Sequence, residues 1–169
     1  MPDPVTPDAL TFEPATPIPN HPRWPLLLYR GALDTGADGA IRRFAENGWG
    51  GAWVNGVFPY PHYHPDAHEV LAVVAGSATI RFGGSAGEEV HVDAGDVAVL
   101  PAGTGHQRIG ASADFRVVGA YPEGQERFAT RRPDDGRPPA DREAVADVAR
   151  PGSDPLYGAD GPLLDHWSS

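Results

Sequence analysis

The sequence contains no cysteine. That excludes disulfides and thiolate ligands, so any transition metal must be held by His and carboxylate side chains. Long apolar runs are missing as well: residues 70–75, the longest near the histidine-rich segment, fall far short of the ~18 residues needed to span a bilayer. Basic residues are few, 13 against 23 acidic ones for a net charge of −10, and they form no dense patch. The phosphate neutralisation that drives nucleic-acid binding therefore has no source, and anionic membrane surfaces are excluded as partners on the same ground. The opening Met-Pro-Asp-Pro-Val-Thr has neither the basic segment nor the apolar stretch of a secretory signal, so a cytoplasmic location is expected. There is no internal repeat, Gly-rich phosphate loop, Ser/His/Asp arrangement or paired-carboxylate constellation.

What is present suits one folded unit. With 169 residues and 40% hydrophobic content, the chain can bury one core and is expected to form a single domain over 1–169. Of its 19 prolines, eight precede Leu26, four lie between Leu26 and Tyr121, and seven follow. Proline cannot donate to a sheet ladder, so 1–25 and 122–169 read as irregular flanks around a β body with its core at about 49–121. Short β-favouring runs at 26–29, 52–58, 69–75, 78–82, 89–92, 97–100, 107–109 and 115–121 alternate with Gly-containing turns, which argues for a sandwich or barrel. One helix is predicted after Thr35 and Asp38, with Ile41, Phe44 and Ala45 on its apolar face and Gly48 as its stop. Residues 143–148 are left without a helix because Pro139 and Pro151 bracket them closely. Trp49, Trp53, Phe58 and Phe82 read as core or barrel packing.

Three imidazoles and a carboxylate fall within eight residues: His62, His64, His68 and Glu69. On a strand, His62 and His64 project from one face, as two ligands of one ion must. Imidazole with a nearby Glu suits Fe, Mn, Ni, Zn or Co, whereas Ca and Mg prefer oxygen shells. His68 and Glu69 are adjacent and cannot both face one ion from a regular strand. Alternation from His64 favours His68, but Pro65-Asp66 breaks the strand, so that parity is not carried across. Downstream, a short apolar run closed by Pro101 and Gly103 delivers a lone His106.

These segments resemble the cupin superfamily. Gly56, His62, His64, Glu69 and Gly76 meet every position of its first motif, Gly-x5-His-x-His-x4-Glu-x6-Gly. Gly95, Pro101, Gly103 and His106 meet the second, Gly-x5-Pro-x-Gly-x2-His-x3-Asn, with Gly110 standing where Asn belongs. Residues 47–56, 118–125 and 153–167 are similar to the small bacterial YjlB-like cupins. The resemblance implies an all-β fold, a single cupin jelly-roll barrel (double-stranded β-helix) with one short N-terminal helix. It selects Glu69 over His68, giving one divalent transition metal held by His62, His64, Glu69 and His106 with coordination positions left open. His68 or Tyr63 is then the expected proton-handling group, while Arg108, two residues past His106, and Tyr60 are expected to contact substrate. His91, His21 and His166 are read as surface residues.

The implied function is a metal-dependent enzyme on a small polar organic molecule, an oxygenase in preference to an isomerase or lyase. The alternative is a metal-containing ligand-binding or sensor module without turnover. His62-Tyr63-His64 is not the His-x-Asp/Glu triad of 2-oxoglutarate oxygenases, and a Cys-Tyr crosslink is impossible here. Cupins of this size commonly pair through their sheets, so a homodimer is implied.

Overall fold

A computed structural model describes residues 4–168. Nine strands form among the described residues: β1 (Asp8–Leu10), β2 (Leu26–Tyr29), β3 (Trp49–Asn55), β4 (Glu69–Ala75), β5 (Ser77–Phe82), β6 (Glu88–Asp93), β7 (Val97–Leu100), β8 (His106–Ala111) and β9 (Arg116–Pro122). They make a six-stranded sheet in the order β1-β2-β7-β4-β9-β3 and a three-stranded sheet in the order β6-β5-β8. Every pairing is antiparallel. The two sheets face each other as a jelly roll, as the motifs imply.

The centre of the six-stranded sheet is buried on both faces, which is why β2, β4 and β7 are continuous apolar runs, while the edge strands β1 and β3 are largely exposed. Strand alternation sends the residues of β2, β4 and β7 to two different cores. Leu26, Leu28, Leu71, Val73, Ala98 and Leu100 point inward and meet Ile80, Phe82 and Val92 of the smaller sheet. Leu27, Tyr29, Val70, Ala72, Val97 and Val99 point outward, against Phe44, Trp49, Leu163 and Trp167. Burying each such side chain contributes about 1.5–3 kcal/mol, so the helical cover on the outer face is needed as much as the barrel.

That cover begins with α1 (Ala37–Glu46), which buries Ala40 and Phe44 completely and ends where Gly48 takes φ +83°. Its N-cap is Gly36 and no side chain caps it, so the predicted start at Thr35 is one residue early. The flanks are more ordered than their proline content suggests. β1 lies within 1–25 and pairs with β2. Within 122–169 there are α2 (Pro138–Asp147) and α3 (Leu163–His166). Pro138 and Pro139 stand in the first turn of α2, where the missing N–H would have had no partner; they start the helix instead of preventing it. Phe58 is 48% exposed and so is not a core residue, and Trp53 is only partly buried. Trp49 and Phe82 are core residues. Among the described residues, no helix is long and apolar enough to cross a membrane.

Candidate metal centre

His62 and His64 lie in the segment that enters β4, and His106 opens β8. An antiparallel bridge joins them: the His62 N–H donates to His106 O at 3.1 Å and the His106 N–H to His62 O at 2.9 Å. His106 is delivered by a turn in which Gly103 adopts φ +84° and donates its N–H to His64 O at 2.8 Å. A Cβ on Gly103 would lie 2.7 Å from Val145 Cγ2 of α2, so only glycine fits there. All three imidazoles are buried, and each offers a ring nitrogen within 4.8 Å of the others.

Each imidazole has one nitrogen committed to a main-chain carbonyl. His62 Nδ1 lies 3.1 Å from Tyr60 O, His64 Nδ1 3.0 Å from Ala129 O, and His106 Nδ1 3.0 Å from Thr104 O. A carbonyl only accepts, so Nδ1 carries the proton in all three and the Nε2 lone pairs are left facing one another. Glu69 joins them, with Oε1 3.3 Å from His106 Nε2 and Oε2 3.5 Å from His64 Nε2. Its side chain is buried, and Oε1 has no hydrogen-bond donor. Three lone pairs and a carboxylate converging out of water repel one another unless a cation sits among them. This donor set fits a divalent transition metal.

The electrostatics agree. Burial, then the neighbouring His106, lowers the pKa of His62 to about 2, so it stays neutral and able to bind metal. Burial opposes charge on His64, but Glu69 outweighs it and raises that pKa above the ordinary value. Burial likewise disfavours the Glu69 carboxylate, yet His64 and His106 hold its pKa well below the ordinary value. Glu69 is therefore an anion facing imidazole nitrogens. A proton on His64 is what a metal would displace.

The structure separates Glu69 from His68 by strand parity. Glu69 shares the inward face of β4 with Leu71 and Val73, while His68 falls on the outward face with Val70 and Ala72. His68 is fully buried there, 4.9 Å from the Trp167 ring and 5.6 Å from Trp24. Its Nδ1 accepts the Ala102 N–H at 2.8 Å and its Nε2 donates to Ala149 O at 3.2 Å. It braces the turn that carries His106 and does not reach the cavity. Tyr63 also turns away: its hydroxyl donates to Asp141 Oδ2 of α2 at 2.6 Å, leaving no access to a substrate. Tyr60 is half-buried, stacked on Phe58 beneath the Arg132 guanidinium, which lies 3.4 Å from its ring centre. Arg108 reaches toward Gly56 but does not line the cavity. His21 is buried, stacked on Trp24 and accepting the Arg23 and Trp24 N–H groups, rather than at the surface. His91 and His166 are exposed.

Over the four donors lies a cavity of about 280 Å³, walled by Trp53, Val54, Val57, Phe58, Leu71, Tyr121, Phe128 and Thr130 among others. Several of these were not singled out from the sequence. The Tyr121 hydroxyl donates to Glu69 Oε2 at 2.5 Å and accepts the Trp53 Nε1–H at 2.7 Å, so a relay from β3 through β9 orients the carboxylate. Burial, then Glu69, raises the Tyr121 pKa, which keeps the phenol protonated. Tyr121 shares the inward parity of Val117, a signal the sequence did hold. Ala129, Phe128 and Thr130 come from an irregular strap and had none.

The profile of the cupin domain family matches residues 53–118. Over 154 residues the chain is 43% identical to the uncharacterized protein YjlB of Bacillus subtilis (strain 168), covering 89% of this chain and 90% of that protein. The chain belongs to the cupin superfamily, and the two similarities agree with the barrel and its motifs. Among solved structures it resembles an acireductone dioxygenase from Bacillus anthracis with cadmium in its active centre, at 17% identity, TM-score 0.39, over 52% of this chain and 60% of that one. A conserved protein with a double-stranded β-helix domain from Klebsiella pneumoniae aligns at 14% identity and TM-score 0.37, over 78% of this chain and 83% of that one. An oxalate decarboxylase from Lactobacillus farciminis aligns at 25% identity and TM-score 0.39, over 48% of this chain and only 25% of that one.

Proposed function

We propose that the protein is a metal-dependent enzyme that binds one divalent transition metal through His62, His64, His106 and Glu69 and acts on a small organic molecule in the cavity above it. The reading is carried by one observation: three imidazoles held in the Nδ1–H form aim their free Nε2 atoms at a buried carboxylate whose Oε1 has no donor. When bound, the ion supplies a Lewis acid or, as Fe or Mn, a redox partner for O2. Tyr121 fixes one oxygen of Glu69 and leaves the other for the metal. Four protein donors leave positions free in an octahedral shell, and a cavity over the donors is the arrangement of a site that turns substrate over, as opposed to a sealed structural one. Oxygenase chemistry is favoured over isomerase or lyase chemistry because the walls are mainly apolar and offer no further general base beside the donors.

The test is elemental analysis of protein purified without a chelating tag, alongside the His62→Ala and Glu69→Ala variants. Near-stoichiometric metal in the wild type that is lost in both variants supports the centre. Fe or Mn then directs screening to O2 consumption, and Zn or Ni to isomerisation. Metal bound in neither native nor reconstituted protein would leave a ligand-binding barrel.

A further inference from the structure

We infer that the cavity takes an uncharged, roughly single-ring molecule that presents oxygen donors to the metal, and that it discriminates against di-anionic acids. This rests on the metal-centre reading above. It departs from the polar substrate that the motifs suggested.

Size is the first constraint. About 280 Å³ lies just below the range of roughly 300–1,000 Å³ typical of ligand pockets, enough for one ring with substituents and too little for a nucleotide. Wall chemistry is the second. Trp53 and Phe58, from the stretch 53–58, and Phe128, from the strap, supply aromatic side chains, and Val54, Val57 and Leu71 fill the intervals. Such aromatic rings favour flat apolar bodies. The polar side chains that remain, Asn55 and Thr130, are neutral, and the Tyr121 hydroxyl already donates to Glu69.

Charge is the third constraint. The sequence has no lysine, so every mobile cation is an arginine, and none lines the cavity. Of the nearby ones, Arg131 is committed to Asp141 and Arg132 to the Tyr60 ring, and Arg108 lies beside Gly56 without lining the cavity. A divalent ion with Glu69 and three neutral imidazoles carries one net positive charge. A dianion would leave a negative charge against apolar walls with nothing to pair it, and burying an unpaired charge is costly. The −10 charge of the whole chain adds to that at long range.

The experiment is calorimetric titration of the full-length, Zn-loaded protein at pH 7 with maltol, a single-ring oxygen chelator that is uncharged in solution and gives its hydroxyl proton to the buffer on binding, and with oxalate, with Zn content measured before and after. Maltol binding at least tenfold tighter than oxalate supports the inference. So does a reversal of that order in Val54→Arg, which places a guanidinium on a wall residue that is 45% exposed and free to accept it. Protein that retains Zn but binds oxalate as tightly as maltol, or binds neither, overturns the inference and leaves the metal centre standing. Protein that never holds Zn overturns the metal centre and the inference with it.

Discussion

Histidines lie on both sides of the sheet around β4, with opposite fates. On the outward face, His68 has both ring nitrogens occupied, one accepting from Ala102 and one donating to Ala149, and it is sealed by Trp24 and Trp167. On the inward side, His62, His64 and His106 each have only Nδ1 occupied, and the nitrogen left over points at Glu69. Burial is equal on the two sides. What separates a packing imidazole from one able to bind an ion here is which lone pair the main chain leaves free.

The sharpest way to break that contrast is His62→Ala. Metal content should fall from near one equivalent to background, and the thermal stabilisation by added Zn should vanish. For a wild-type site held a thousandfold above its Kd that linkage is about 4 kcal/mol, readable as a lost shift in Tm. His68→Ala should do the reverse. It keeps the metal but costs about 3 kcal/mol of stability from a cavity and an orphaned Ala102 N–H, measured by urea unfolding of the metal-free protein. An equal loss of metal in both variants would refute the division between the faces.

Tyr121→Phe sharpens the inward half. Removing the hydroxyl that holds Glu69 Oε2 should weaken metal affinity by about 10–100-fold, as loss of a group supporting a ligand typically does, with the fold retained. Competition against a colorimetric chelator measures it. Wild-type affinity in this variant would show that Glu69 needs no orientation.

The outward half should answer to pH. Burial, then the Arg23 charge, lowers His21 to about 4, and burial, then His21, lowers His68 to about 3. Both folded values lie below the unfolded value of ~6.5, so below that pH the unfolded chain binds protons the native chain refuses. Stability is complete above about pH 6.5 and declines as pH falls toward 4 and 3. Unfolding midpoints of the metal-free protein should fall through that window, less steeply in His68→Gln. The smallest effect is expected of Arg108→Ala, outside the cavity lining: metal content unchanged and affinity within about twofold, since surface substitutions away from a site seldom exceed about 0.5 kcal/mol.

Much of this was legible in the sequence, and what was not has identifiable causes. The spacing of His62, His64, Glu69 and His106 marked the residues the fold brings together, because ligand spacing within short segments survives in primary order. His68 is expected beside the substrate only because it adjoins Glu69 and the Pro65-Asp66 break leaves its parity open. Reckoned backward from Leu71 and Val73 it falls outside, although the sequence does not say which face of β4 is inner. Tyr63 was assigned to chemistry because its partner, Asp141, lies 78 residues away in a helix whose prolines concealed its start. The flanks misled for the same reason: proline forbids ladder donation but is welcome in a first helical turn.

One main-chain contact ties the centre to time as well as space. The carbonyl that sets the His64 tautomer belongs to Ala129, 65 residues later in the chain, and the strap that carries it is pinned by the Tyr63–Arg131 bridge. While the chain is being made, all four donors emerge well before the group that orients His64. The barrel strands are complete at Pro122, yet His64 is free to present either nitrogen until the strap has followed. An ion meeting the barrel before the strap is in place would find a His64 whose tautomer the main chain has not yet set.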